Sequence, residues 1–295
     1  MARPRRRKEK KPALILRLAQ RWGYYPGRVA SEVLEWVEVL AVAAALAFLV
    51  ITFVTVRMHV PTDSMYPTIN GDSNPFKADS FFVDKISYAF RAPKPGDIVV
   101  FWHTEAVFVG AVKDGSPAAR ARVKAGDRLV SINRDTLFSA AGADEAIAAL
   151  ADGTQILLGT AGTGLVDLGQ KRPGTNSLQD LGISAREQRM RYVKRLIAVG
   201  GQTVEIRGGS VVVDGQRLQG ERFQRAYTSD DARMRYGVTP TLVPQGKWFV
   251  LGDNSSDSWD SRFWGFVDRN DFIGEPYLRV WPLSRFGPMN GYFHL

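Results

Sequence analysis

Ten residues, VPTDSMYPTI from Val60 to Ile69, set Ser64 between two prolines. Pro61 and Pro67 each disfavour helix at the preceding residue, so the Ser64 hydroxyl belongs to an extended or turned segment. A serine attacks a carbonyl only when a base removes its proton. The chain has three histidines that could do so, His59, His103 and His294, and none stands in a recognisable triad context. A lysine can take the role in a Ser-Lys pair, provided that it is held neutral. Moving a lysine from about 10.4 to between 7 and 8 takes roughly 4 kcal/mol, which burial can provide. Lys194 meets that demand in the run Tyr192-Val193-Lys194-Arg195-Leu196-Ile197. Period-two alternation puts Tyr192, Lys194 and Leu196 on one strand face, where an amine can be desolvated. The competing reading is a lysine whose stem lies on the sheet while its amine reaches water.

The elements that must hold these residues are mostly strands. FFVDKIS (Phe81 to Ser87) and DIVVFWH (Asp97 to His103) are short strand-like runs separated by Pro93, Pro95 and Gly96. RYVKRLIAV follows from Arg191, then TVEIR and SVVVDGQRL, with Gly208-Gly209 and Asp214-Gly215 placed to close hairpins. KWFVLGDN and FIGEPYLRVWP complete the spacing of an all-β domain. The interval from Glu105 to Gln188 differs: it is richer in Ala and Gly, has few aromatics, and carries a helix predicted over Ala143 to Gly153. It reads as an insertion into the β domain.

The 295 residues carry a net charge of +9 and no cysteine. Disulfides, thiolate zinc sites and a cysteine nucleophile are thereby excluded. Ten Lys/Arg and one acidic residue fall before Ser31, and the remainder balances at 29 of each sign. The positive charge is a tail, so no nucleic-acid partner is expected. Val39 to Val56 is 18 residues without a charge, roughly 27 Å as a helix and close to a bilayer's hydrocarbon thickness. A basic segment ahead of such a run stays cytoplasmic, which puts everything after Arg57 on the far side. Because the run passes directly into the Ser64 stretch, it reads as an uncleaved anchor.

Four motifs in order, VPTDSMYPTI, KPGDIVVF (Lys94 to Phe101), RYVKRLIAVGGQTVEI and GDNSSDSWDSRFWGFV (Gly252 to Val267), resemble those of bacterial type I signal peptidases, membrane-bound Ser-Lys proteases. The resemblance implies Ser64 as nucleophile and Lys194 as general base, with the Ser64 N–H and the Thr62 hydroxyl as oxyanion donors. It implies that Ser258 hydrogen-bonds the lysine, and that Asp260 and Arg262 form a supporting ion pair. Val60, Pro61, Met65, Ile69, Tyr192 and Val193 would line shallow apolar pockets for the small residues at −1 and −3 of a signal peptide, bound as an added strand. No metal or organic cofactor is implied. Two departures stand out: Asp63 where the family often has a small residue, and Ala198-Val199-Gly200-Gly201-Gln202 in place of a G-x-P-G-D turn.

Val107 to Leu137 in the insertion is similar to the central part of a PDZ domain, with GSPA opening a helical turn and AGDRLVSIN a strand; TQILLG would be a further strand. Only Leu181-Gly182-Ile183 offers a carboxylate-binding loop there. The expected fold is mainly β: a signal-peptidase-type catalytic domain behind one transmembrane helix, with an inserted small α+β PDZ-like domain. The expected organisation is a basic cytoplasmic tail (1–32), an anchor (33–57), a catalytic domain in two parts (58–104 and 189–295), and the insertion (105–188). The expected location is the bacterial inner membrane, single-pass, with the catalytic domain outside the cytoplasm. Expected partners are signal peptides of translocated preproteins, membrane lipid, and a peptide or protein ligand for the insertion. The rival reading is a membrane-tethered PDZ-like adaptor on an inactive protease frame, but such a frame would be free to lose Ser64 or Lys194, and both are present.

Overall fold

A computed structural model describes residues 13–133, 135–228 and 231–289; residues 1–12 of the basic tail, and His294, lie outside them. Two compact units divide at Val56 and Arg57.

In the N-terminal unit, helix α1 (Leu14–Arg21) precedes α2 (Arg28–Leu49), which continues as a wider helical turn over Val50–Val54. No residue of α2 is buried, so it is not the core helix of a globular domain. The stretch Arg28–Val54 is long and apolar enough to cross a membrane by length and composition. Its end differs from the expected Arg57. Thr55 turns to extended backbone at φ −138°, and Thr55–His59 forms strand β1, as the β-branched Thr-Val pair favours.

In the second unit, β2 (Ser80–Asp84) is shorter than predicted. The Asp84 carboxylate accepts the Ile86 and Ser87 N–H groups at 2.7 and 3.1 Å and starts a helical turn there instead. β3 (Ile98–Val112) runs antiparallel to a later strand, Ile183–Val199, along their full length, from Ile98↔Arg195 to Val112↔Ile183. Bulges at Thr104/Ala106 and Val109/Ala111 interrupt the ladder. Between these two strands the chain forms β4 (Arg128–Ile132), α3 (Ala140–Ala149), β5 (Gln155–Thr160) and β6 (Gly164–Gln170). α3 begins earlier than predicted because Ser139 caps it, accepting the Gly142 N–H at 2.9 Å. It also stops before Gly153: Leu150 is already extended, and Lys171 Nζ donates to the Ala148 and Leu150 carbonyls at 2.9 and 2.7 Å.

The long return strand Ile183–Val199 is β7. β8 (Thr203–Arg207) and β9 (Ser210–Val213) form a small sheet whose turns carry positive φ at Gly208, Gly209, Asp214 and Gly215. β10 (Lys247–Leu251) pairs with the end of β7, and β11 (Phe272–Trp281) joins β2 to β3. The main sheet runs β1-β2-β11-β3-β4-β5-β6, with β7 on the other edge of β3.

The β3–β7 ribbon crosses separate cores. Near Ser64, Val99, Phe101, Leu196, Trp248 and Val250 cluster on one side, and Ile197, Ile206, Phe249 and Leu251 on the other. In the insertion, Val107, Leu129, Ile132, Ile147, Ile156, Leu158 and Ile183 form a third cluster.

Candidate active site

β1 leads through Val60 to a single tight turn, Asp63–Met65, that carries Ser64. The turn is held from the far side of the domain. Asn254 donates its N–H to the Ser64 carbonyl at 3.1 Å and its side-chain amide to the Asp63 carbonyl at 3.2 Å. The Asp63 carboxylate accepts the Gly71 N–H at 3.0 Å, which gives this departure from the family pattern a local bracing role. Gly71 has no room for a side chain, since a Cβ would stand 1.8 Å from the Thr62 carbonyl oxygen.

β7 brings Lys194 to the same place. Its Nζ donates to Ser64 Oγ at 2.7 Å, and Lys194 is 4% exposed. Tyr192 lies beside it, its ring centre 5.4 Å from Nζ. Burial pushes the Lys194 pKa down to about 8, partly opposed by the Asp260 carboxylate and assisted by the Arg262 guanidinium. The Thr62 hydroxyl donates to Ser64 Oγ at 3.4 Å.

Neither described histidine takes the lysine's part. His103 is stacked between the Tyr192 and Trp264 rings, 4.6 Å from each centroid. Burial, then the charge of Lys194, lowers its pKa to about 4. His59 is exposed and borders a different depression, with Phe76 and Trp281.

Ser64 and Lys194 open onto a cleft of about 440 Å³ that Val60, Pro61, Thr62, Tyr192, Val193 and Ser258 also line. Met65 and Ile69 do not line it: the tight turn swings both into the core, at 0% exposure. Met58, Met190 and Met234 line it instead, with Glu105, Arg191, Asp231 and Arg233 among its polar walls. Ser258 is buried, and its hydroxyl has no hydrogen-bond partner among the described residues. The expected bond from Ser258 to Lys194 is therefore not formed, because the amine is directed at Ser64. Behind Ser258, Arg262 donates through Nε to Asp260 Oδ1 and through a terminal nitrogen to Oδ2, both at 2.9 Å, with neither side chain exposed.

Sequence reasoning missed a second buried pair. Arg195 Nε donates to Asp253 Oδ1 at 2.7 Å, and Arg195 also reaches Asp253 Oδ2 and the Gly96 carbonyl, the latter at 2.6 Å. Thr68 donates to the same carboxylate, tying the nucleophile segment to the strand of the lysine. The signal was present: alternation that turns Lys194 to one face turns Arg195 to the other, into protein. Glycine is also required at 252, where a Cβ would lie 2.1 Å from Ser258 Oγ and 2.5 Å from the Ser64 carbonyl oxygen.

The loop proposed to bind a carboxylate in the insertion does not present free donors. The N–H groups of Leu181, Gly182 and Ile183 bond the carbonyls of Leu178, Gln179 and Leu178 at 3.2, 3.0 and 2.9 Å. The altered turn after the lysine strand closes on itself, Gln202 Oε1 accepting the Val199 N–H at 3.0 Å.

The family model for signal peptidase, peptidase S26, matches residues 33–281. A signal peptidase I of Leptolyngbya laminosa is 27% identical over 88% of this chain and 85% of its own length. A probable signal peptidase I-1 of Synechocystis is 29% identical over 88% and 87%. A probable signal peptidase I of Mycobacterium leprae is 29% identical over 87% and 79%.

Proposed function

The chain belongs to the signal peptidase family, peptidase S26, and on that premise we propose that Ser64 and Lys194 are the nucleophile and general base with which it works. It is a type I signal peptidase, a serine endopeptidase that removes signal peptides from preproteins. The observation that carries the site assignment is the 2.7 Å bond between a desolvated lysine amine and a serine hydroxyl.

Neutral Lys194 accepts the Ser64 proton as Oγ attacks the carbonyl carbon of the residue at −1. The tetrahedral oxyanion takes hydrogen bonds from the Ser64 N–H and the Thr62 hydroxyl; losing one such donor typically lowers the rate ~10²–10³-fold. Collapse breaks the C–N bond, and Lys194 returns its proton to the leaving amine. Water, deprotonated by the same lysine, then hydrolyses the acyl-enzyme. The unpaired Ser258 hydroxyl in the cleft supports a role in holding the amine once Ser64 is acylated. Between Ile183 and Lys194 the edge of β7 away from β3 carries no strand among the described residues, which suits a signal peptide bound as an added strand against Val60, Pro61, Tyr192 and Val193.

The anchor is read as single-pass in a bacterial inner membrane, tail in the cytoplasm and β unit outside, from the clustering of positive charge ahead of it. The insertion is read as PDZ-like from the order of its elements: the turn at Pro117–Arg120, then β4, α3 and β5. Cleavage of a purified preprotein by the full chain, set against Ser64→Ala, tests the assignment. The alanine variant should leave the substrate intact, and comparable cleavage by both proteins would remove Ser64 from the mechanism.

A further inference from the structure

Beside the cleft β3 loses its register with β7. Thr104 faces Arg189 and Ala106 faces Gln188, so Glu105 is the extra residue of a β-bulge. A bulge takes a side chain out of the direction that regular pairing would impose. Here the re-aimed side chain lines the same cleft as Ser64 and Lys194. The Tyr192 hydroxyl donates to Glu105 Oε1. Tyr192 stands two residues before Lys194 on the same face of β7, its ring centre 5.4 Å from the lysine amine. One carboxylate oxygen is thus fixed at the cleft wall, while Oε2 has no hydrogen-bond partner among the described residues.

The other charges of the cleft do not neutralise Glu105. Asp231 and Arg233 are closed on each other, Nε donating to Oδ1 at 3.0 Å and a terminal nitrogen to Oδ2 at 2.6 Å. Arg191 leaves β7 on the face opposite Tyr192, by alternation, and is exposed. Lys194 donates to Ser64 and, in the proposed mechanism, attacks as a neutral base. His103 is stacked against the Tyr192 ring, and burial keeps it neutral. Glu105 therefore forms no ion pair among the described residues. It is exposed, so solvent satisfies it until a peptide strand laid against β7 displaces that solvent. A carboxylate covered in this way needs a partner, and the peptide is what remains to supply one.

We infer that Glu105 is a specificity-determining residue, favouring preproteins that bring a lysine or arginine side chain to it near the scissile bond and disfavouring those that bring an aspartate or glutamate. The inference rests on the reading that Ser64 and Lys194 cut the substrate in this cleft. A cation meets Oε2 in a charge-assisted hydrogen bond, whereas an acidic side chain meets like charge with no donor between them. A structural role alone does not account for the charge, because the Tyr192 hydroxyl needs only a neutral acceptor.

The test is kcat/KM of the purified full chain in detergent on peptides spanning a signal-peptide cleavage site. Lysine, alanine or glutamate is placed in turn at each position within about five residues of the bond, −1 and −3 excepted, a reach set by the strand spacing. Wild-type protein should prefer lysine to glutamate by about tenfold at one position, with its immediate neighbours near parity because alternation turns them away. Glu105→Gln, which still accepts from Tyr192, should bring that ratio close to one, and Glu105→Lys should invert it. Tyr192→Phe, which frees the carboxylate, should lower it about threefold, and high salt should shrink it in wild type. The ratio is read within each variant, so a general loss of rate cancels, and cooperative thermal melting verifies the fold. A lysine-to-glutamate ratio that is the same in wild type, Glu105→Gln and Glu105→Lys overturns the inference. So does a preference of equal size at every position, which would mark the net field of the protein and not contact with Glu105. Cleavage that survives Ser64→Ala overturns instead the site reading beneath it.

Discussion

Around Ser64 the β3–β7 ribbon is enclosed by buried Lys194, Arg195, Asp253, Asp260 and Arg262, while further along the same two strands the insertion closes over Leu129, Ile132, Ile147, Ile156 and Leu158. Lys171 is the one buried charge of the insertion among the described residues, and it closes a helix end. Burying a charge costs several kcal/mol before its partners compensate, and a well-packed apolar replacement is often at least as stable. Charges gathered in one part of a sheet and nearly absent from another therefore mark where geometry and proton affinity matter more than stability. The insertion is stabilised by ordinary apolar burial, whereas the catalytic region keeps a costly network that fixes Ser64 against Lys194.

The sharpest way to break this contrast is at the lysine. Lys194→Arg and Lys194→Met should each lower cleavage by about 10³-fold or more, because a guanidinium stays protonated and a thioether accepts no proton. Near-normal turnover by the arginine variant would reopen the question of the base. The methionine variant should at the same time be more stable than wild type. Removing an amine whose pKa burial has lowered from 10.5 to about 8 relieves up to roughly 3 kcal/mol at neutral pH, at about 1.4 kcal/mol per unit. A lower melting temperature for Lys194→Met would show that Lys194 is not a strained group.

Next in size is the ion pair behind the cleft. Asp260→Ala leaves Arg262 buried and unpaired, and should cost about 3–5 kcal/mol in denaturant unfolding. Ile147→Ala, at 0% exposure in the insertion, should also destabilise, by about 2–5 kcal/mol through a cavity. Cleavage by the folded Ile147→Ala protein should be unchanged. Equal loss of activity from the two variants would erase the distinction between the regions.

A pH series sharpens it further. If Lys194 is the base, as proposed, activity needs its neutral form; burial lowers its pKa to about 8, so kcat/KM should fall about tenfold per unit below that pH and level off above it. Stability runs in the same direction over a different window. The folded pKa lies below the unfolded 10.5, so between the two values the unfolded chain holds more protons. Lowering pH from 10.5 to about 8 therefore weakens the fold, and this group contributes no further change below. A rate profile flat down to pH 5 would contradict a lysine base.

The smallest expected effect is from removing the insertion. Thr104 and Arg189 are partners across the ladder, so excising Glu105 to Gln188 and closing the gap with Asn-Gly makes a short hairpin of the same ribbon. Loop-closure terms of about 0.6 kcal/mol per doubling of length favour the shorter connection. Against this stand Glu105, which lines the cleft and accepts from the Tyr192 hydroxyl, Phe138, which packs beside the Phe101–Trp248 core, and Arg235, which donates to Thr136 at 3.0 Å. Cleavage of a short accessible substrate should persist. A cooperatively folded product inactive on every substrate would mean that the insertion helps to build the cleft.

The sequence by itself determined what is local or periodic. The apolar stretch, the glycine turns of β8 and β9, the strand alternation around Lys194 and the order of elements in the insertion follow from side-chain pattern over a few residues, where propensity and period act directly. Tertiary structure decided what depends on residues far apart in the chain. The sequence could offer Lys194 as a base, but its nearness to Ser64, 130 residues earlier, exists only once β7 lies beside the Asp63–Met65 turn. Met65 and Ile69 fall in a cleft-forming motif, yet the turn commits both to the core, because a one-residue change of direction exchanges inside for outside. Alternation turns Arg195 away from Lys194, but its partner Asp253, 58 residues on, and the demand for glycine at 252 came only with the fold. Desolvation and close approach are properties of what surrounds a group, and the surroundings come from distant segments.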